Sequence, residues 1–145
     1  MTASPTAFFA GWGFRATARP QSFASCWAQA CAQLAPGRWT FAVLDSKLQT
    51  PAWEEFLAWS RAAVPQAACR AWPESAIAQI DTPSFSPRLV TRFATGSVCE
   101  ALALHAAEMH RAPPRLLLPR IVSADRQATL AVAAAAHSLE TGVLS

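Results

Sequence analysis

The stretch AFFAGWGFRATA, from Ala7 to Ala18, decides how the rest of the chain is read. Its first eight residues are apolar throughout, the pattern of a strand buried on both faces, as in a parallel sheet. A helical pattern follows at once. In SFASCWAQACAQLA, Phe23, Cys26, Trp27, Ala30, Cys31 and Leu34 share one helical face, Ser25, Gln29 and Gln33 take the other, and Pro36-Gly37 stops the helix. WTFAVLD, from Trp39 to Asp45, reads as a second strand. Thr50-Pro51 then supplies an N-cap with proline at the first helical position. That helix carries Trp53, Phe56, Leu57 and Val64 inward and Glu54, Glu55 and Arg61 outward, and Ala67 to Trp72 reads as a third strand. Strand, helix, strand, helix, strand is the order of an α/β domain with parallel strands and right-handed crossovers.

The second half is less regular. WPESAIAQI reads as a short helix and DTPSFSPR as a loop. Ser97 and Glu100 have capping-box spacing and open a helix running to about His110. RLLLPR and QATLAVAAA are two further strands, joined by too few residues for a crossover helix, so they pair antiparallel. With the first strand central, the second and third lie on one side and the last two on the other, in the suggested order 3-2-1-4-5. Ligands of open α/β sheets bind at the carboxyl ends of strands where the chain reverses its direction of travel, and AGWGFRATA ends there. No repeat or linker divides the chain, which reads as one domain over residues 1–145 with a weakly anchored tail from His137 to Ser145.

Composition narrows the classes of function. The hydrophobic fraction of 52% against 14% charged residues is the balance of a folded chain and the opposite of a disordered one. The net charge of +3 comes from arginine, Lys47 being the sole lysine among 12 basic residues. Guanidinium groups suit bidentate capture of carboxylate or phosphate, which points to an anionic small molecule, although an arginine-rich host composition gives the same count. The basic residues are scattered, which argues against nucleic acid. No apolar run is long enough for a bilayer and no leader pattern opens the chain, so the expectation is a cytoplasmic protein without a membrane partner. Cys26, Cys31, Cys69 and Cys99 lack metal or redox spacing and read as buried thiols of a reducing compartment, and neither a metal nor a cofactor is expected.

The individual motifs leave alternatives open. Gly11 and Gly13 resemble the front of a dinucleotide fingerprint, but Ala16 stands where the third glycine belongs and Asp45 is too far along to meet a ribose. What remains is either a turn whose amides, with Arg15, Thr17 and Arg19, face an anion, or a strand that needs small residues for close packing. Lys47 follows the second strand on the same rim, as a solvated lysine or a ligand contact. Thr95, Gly96 and Ser97 precede a helix N-terminus that favours an anion, while Ser97 is equally a simple cap. Arg120 ends the fourth strand. His105 lies on an apolar stripe and reads as a core or boundary histidine. No catalytic triad, carboxylate pair or histidine pair emerges, so the catalytic residues are unassigned.

Taken together, AGWGFRATA, LDSKLQTPAWEEFLAWS, ATGSVCEALALHAA and LLLPRIVSADRQATLAVAA resemble, in order and spacing, the CobE family, equivalent to the C-terminal domain of CbiG in cobalamin biosynthesis. Gly11, Gly13 and Arg15 match its G-x-G-C-R segment, with Phe14 in place of cysteine. Asp45, Lys47 and Pro51 match the second segment, and Gly96, Ser97, Val98 and Glu100 its G-S-V-x-E. Pro119 is kept in the fourth, Arg120 stands where lysine is usual, and the hairpin has Ser123, Ala124 and Asp125 without the usual glycine. The resemblance implies a three-layer α/β/α sandwich with a mixed five-stranded sheet, in keeping with the antiparallel last strand expected from the short connection. It also implies a role in building the corrin ring, as a protein that binds or carries a precorrin or hydrogenobyrinic-acid-type tetrapyrrole of the aerobic pathway. Two alternatives accompany it: an enzyme acting on such an intermediate, as a hydrolase or methyl-transfer assistant, and a scaffold for other enzymes of the pathway.

Overall fold

The computed structural model describes residues 6–78, 80, 82, 97–109 and 114–135. The first strand, β1, spans Thr6–Phe14 and is followed by helix α1, Pro20–Cys31. Next come β2, Gly37–Leu44, a 3-10 turn over Asp45–Gln49, and α2, Pro51–Ala63. Strand β3, Ala68–Trp72, leads to the one-turn α3, Glu74–Ile77. The remaining elements are α4, Val98–Glu108, then β4, Pro114–Val122, and β5, Ala128–Ala135. The expected loop from Asp81 to Arg88, apart from Thr82, lies outside the described residues, as do His110 and the tail.

The five strands form one mixed sheet in the order β3-β2-β1-β5-β4. Strands β1, β2 and β3 run parallel, while β5 is antiparallel to both β1 and β4. The expected class and the antiparallel last strand are therefore present, but the order 3-2-1-4-5 is corrected, because β5 inserts next to β1 and β4 becomes the edge. The physical reason is in the side chains. Leu130, Ala131, Val132, Ala133 and Ala134 are all 0% exposed, as a strand with neighbours on both sides and helices on both faces must be. Strand β4 carries Pro114 and Pro119, which lack a donor for a second partner and belong on an edge. Its pairing with β5 also slips twice, between Leu116 and Leu118 and between Leu118 and Ile121.

The two faces of the sheet are packed with different chemistry. Phe8, Trp12 and Phe14 of β1 and Phe41 of β2 meet Phe23 of α1 and Phe56 and Trp59 of α2. Trp12 is surrounded edge-on by Phe23, Phe41, Phe56 and Trp59, with ring centroids between 5.3 and 5.8 Å. Its buried indole Nε1 has no hydrogen-bond partner among the described residues, and the surrounding π faces are weak acceptors. On the opposite face α4 lays Cys99, Leu102, Ala103 and Ala106 over Phe9, Ala42, Ala131 and Ala133. Small residues let this helix come close: a Cβ at Gly11 would stand 1.9 Å from the Cys99 carbonyl oxygen. With α1 and α2 on one face and α4 on the other, the layers are α/β/α.

Several local expectations are refined. In α2 the buried residues are Ala52, Phe56, Trp59 and Ser60, so Trp59 takes the inward position expected of Leu57, which is half-buried. Thr50 is the N-cap residue of α2, but its hydroxyl turns back and donates to the Lys47 carbonyl at 2.7 Å. Helix α1 ends at Cys31, before Leu34 and Pro36, and Cys31 is exposed, as is Cys69 on the edge strand β3. Only Cys26 and Cys99 are the buried thiols expected of all four. His105 sits at the boundary with its ring edge-on to Trp72 at 5.2 Å, as its stripe suggested.

Candidate functional site

The parallel strands β1, β2 and β3 point their carboxyl ends the same way as β4, and α1, α2 and α4 all begin on that rim. The alternation along β1 splits its motif. Trp12 and Phe14 face the aromatic layer, and Gly11 and Gly13 face α4. Gly11 lies within the strand, several residues short of its end, and is closed off by the backbone of Cys99 and Ala103; its role is close helix packing. Gly13, one pleat nearer the rim, meets only the Thr129 hydroxyl among the described residues, 2.6 Å from where a Cβ would stand.

Beyond Phe14 the chain is held by the β4–β5 hairpin. The Arg15 amide donates to the Gln127 carbonyl at 2.9 Å, and the Thr17 hydroxyl bonds the Gln127 side-chain oxygen. The Arg15 side chain is left exposed. At the start of α1 the Arg19 amide donates to the Ser22 hydroxyl at 3.1 Å and the Ser22 amide to the Arg19 carbonyl at 2.8 Å, while the Arg19 side chain makes an exposed ion pair with Glu55 at 3.5 Å, of the kind that contributes little. The hairpin is fixed by Asp125, whose carboxylate accepts from the Ser123 and Ser22 hydroxyls, each at 2.6 Å. These bonds, that of Ser123 first, hold the Asp125 carboxyl below the usual carboxylate range. Ser25 accepts from the Ala124 amide at 3.0 Å and Gln29 donates to the Val122 carbonyl at 3.2 Å, so α1 grips both ends of the turn. Within the turn Arg126 adopts φ 61°, the left-handed conformation that a glycine takes without strain.

Lys47 lies in the 3-10 turn after β2, with Nζ 5.8 Å from the centroid of the Phe14 ring. This cation-π contact brings the ends of β1 and β2 together. On the α4 side, Ser97 is buried at the N-cap and its Oγ accepts the Glu100 amide at 3.4 Å. Oε2 of Glu100 reaches across to β4, where it accepts the Arg120 amide at 2.7 Å. Arg120 is half-buried and belongs to an irregular stretch of β4 that continues to Val122, so it precedes the strand end instead of forming it. Its guanidinium is near enough to favour the Cys99 thiolate, yet burial dominates and pushes that thiol up to about 11. Burial likewise takes Cys26 to about 12. Both are protonated and poorly nucleophilic at neutral pH. Among the described residues no group of three His, Cys, Asp or Glu is placed to hold a metal ion, and no helix is long and apolar enough to cross a membrane.

Of the sequence-predicted residues, then, Gly13, Arg15, Thr17, Lys47 and Ser97 lie toward the rim where β1 and β2 end, Arg120 sits further back in β4 at the level of Ala10 to Trp12, Gly11 serves the packing of α4, and Thr95 and Gly96 fall outside the described residues. The family model described as "Cobalamin synthesis G C-terminus" matches residues 8–133. The chain belongs to that family. This member of the cobalamin synthesis G C-terminal family is similar in structure to CobE, a protein from the cobalamin (vitamin B12) biosynthetic pathway. The TM-score is 0.73 at 17% identity, covering 92% of this chain and 94% of that one. It is also similar to the cobalamin biosynthesis protein chiG from Agrobacterium tumefaciens str. C58, with a TM-score of 0.58 and 20% identity over 88% and 98% of the two chains. At these identities the likeness establishes the fold. No curated protein sequence matches. Family membership makes the chain a cobalamin biosynthesis protein of the CobE and CbiG C-terminal type.

The family member also has rim residues that the motifs did not single out. Leu48, in the turn after β2, and Val122, at the end of β4, are exposed large hydrophobic side chains at 39% and 42%. Their signal was positional: each follows a strand on the side where the cations stand. Glu100 was read as half of a capping box, and its spacing to Ser97 gave no sign that its carboxylate reaches β4.

Proposed function

We propose that this chain binds and hands on an anionic tetrapyrrole intermediate of corrin synthesis, of the precorrin or hydrogenobyrinic acid type, as a cytoplasmic carrier in the aerobic branch of the pathway. The observation that carries the reading is the rim itself. Arg15 and Lys47 follow the neighbouring strands β1 and β2 at the end of the sheet where α4 begins, and Arg120 lies further back in the edge strand β4, tied through its amide to the first turn of α4. A flat apolar macrocycle edged with carboxylates asks for spaced cations and exposed apolar surface together, and Leu48 and Val122 supply the second. Of the acidic groups toward this end of the sheet, Glu100 accepts from the Arg120 amide and Asp125 from the hairpin and α1 hydroxyls, while Asp45 is exposed in the turn that carries Lys47. The two buried thiols are protonated. Holding a ligand is what these residues are suited to, more than transferring protons or groups.

The test is a titration of hydrogenobyrinic acid followed by absorbance, with the wild-type chain and with Arg15→Ala/Lys47→Ala. Saturable spectral change at micromolar protein is expected, with about a tenfold or greater loss of affinity in the double variant, the worth of one to two charge-assisted contacts. An unchanged spectrum at micromolar protein would overturn the reading. Mass spectrometry of the recovered macrocycle separates carrier from enzyme, since a changed mass would transfer the assignment to an enzyme of the same intermediate.

A further inference from the structure

We infer that Glu100 is a positioning residue, which sets the backbone of β4 so that the Arg120 guanidinium is presented at the ligand rim. The inference rests on the proposed tetrapyrrole binding for its functional half and on geometry alone for its structural half. Strand β4 pairs regularly with β5 at Leu118↔Val132 and again at Ile121↔Leu130. Three steps along β4 thus answer two along β5, so the interval containing Pro119 and Arg120 holds one residue more than the ladder can use. Proline has no amide hydrogen, and Arg120 is displaced from the regular register, so its N–H needs an acceptor from outside the sheet. The acceptor is Glu100 Oε2 at 2.7 Å, on a side chain that is 0% exposed and projects from the first turn of α4.

A carboxylate is expensive to bury, and a capping role does not require it to cross to another element. Its reach to β4 accounts for the expense, because a bulge left without such a partner can slide back into the ladder. One slip would turn Arg120 to the other face of the strand. The same helix turn carries Ser97 and Cys99, and the bond from the Arg120 amide to Glu100 brings this stretch of β4 to the first turn of α4. Glu100 therefore joins two anion-favouring features, the helix terminus and the arginine, into one unit.

Two readouts separate the halves of the inference. In the ligand-free chain, amide hydrogen exchange at Arg120 is expected to be protected in wild type and to accelerate at least 100-fold in Glu100→Ala, with Ile121 and Leu130 little changed. Glu100→Gln, which keeps an acceptor oxygen at the same reach, retains most of the protection. An Arg120 amide that exchanges equally in all three would overturn the clamp whatever the ligand does. Hydrogenobyrinic acid titration is then made with Arg120→Ala, Glu100→Ala and the double variant, each checked for folding by circular dichroism. The singles are expected to weaken binding by about tenfold each, and the double to be no weaker than Arg120→Ala. Multiplicative losses, or unchanged affinity in folded Glu100→Ala, would overturn the positioning role. Should the wild type fail to bind while the exchange pattern holds, the tetrapyrrole reading and the functional half fall and the clamp stands.

Discussion

Replacing Gly11 by alanine adds one methyl group to a place where the backbone of α4 already stands. The new Cβ would lie 1.9 Å from the Cys99 oxygen, 2.6 Å from the Ala103 nitrogen and 3.0 Å from the Cys99 carbonyl carbon, whereas ordinary contact begins at 3.4 Å. None of these atoms belongs to a side chain that can rotate away. The helix must withdraw by about 1.5 Å, opening its packed contacts with Ala131 and Ala133 of β5. Overpacking of a filled core costs about 1 to 3 kcal/mol and more where only backbone can yield. Gly11 has no positive φ, so alanine also stabilises by about 0.4 to 1 kcal/mol through the unfolded chain. We expect a net loss of about 2 kcal/mol, a large share of the roughly 5 to 15 kcal/mol typical of a whole domain. Urea unfolding followed by tryptophan fluorescence measures it, with Gly13→Ala as the comparison. There the obstacle is the Thr129 hydroxyl, a rotatable group, and the expected cost is under about 1 kcal/mol. A Gly11→Ala chain as stable as wild type, or a Gly13→Ala chain hurt equally, would refute the argument that the two glycines serve different purposes.

Further predictions concern the hairpin and the thiols. Because Asp125 is held below its unfolded value, its contribution is present above the ordinary aspartate range near pH 4 and is lost as pH falls through the lower folded value. Ser22→Ala should therefore flatten the dependence of stability on pH below about 4, and a steeper dependence would contradict the bonding. Arg126→Gly relieves the left-handed conformation at φ 61° and is expected to stabilise by up to about 1 kcal/mol in the same urea assay; a loss would mean that the side chain contributes more than the strain. With a thiol-reactive disulfide reagent at pH 8, Cys31 and Cys69 should react in the native chain and Cys26 and Cys99 only after denaturation. Fast labelling of Cys99 would show that α4 opens readily.

Much of this architecture could be read from periodicity. The parallel half was legible because each apolar strand is followed by a helix with a distinct stripe, and local order there dictates spatial order. The last two strands were legible as an antiparallel pair, since too few residues join them, but their placement was not. Hairpin length says that β4 and β5 are neighbours and is silent on which of them meets β1. The proline in RLLLPR and the apolar run LAVAAA from Leu130 to Ala135 carry that information, because one cannot donate to two neighbours and the other has no polar side chain to expose. The inward face of α2 was misjudged at Leu57 and Trp59 because both lie near the boundary of the stripe. At the site, the cations were visible as residue types after strand ends, whereas the reach of Glu100 to Arg120 is a tertiary contact between elements 20 residues apart in sequence, with no local pattern to announce it.

The insertion of β5 between β1 and β4 also bears on how the chain is made. Residues 128–135 leave the ribosome after every other strand, yet they are the piece that joins the parallel half of the sheet to its far edge. Until they arrive, the hydrogen-bonding groups along one side of β1 have no native partner, and an open edge of apolar sequence invites pairing with another chain. A nascent chain halted before Ala128 would hold the aromatic layer of α1 and α2 against an unfinished sheet. Premature termination or slow decoding in the last strand should therefore produce aggregation instead of a smaller folded species.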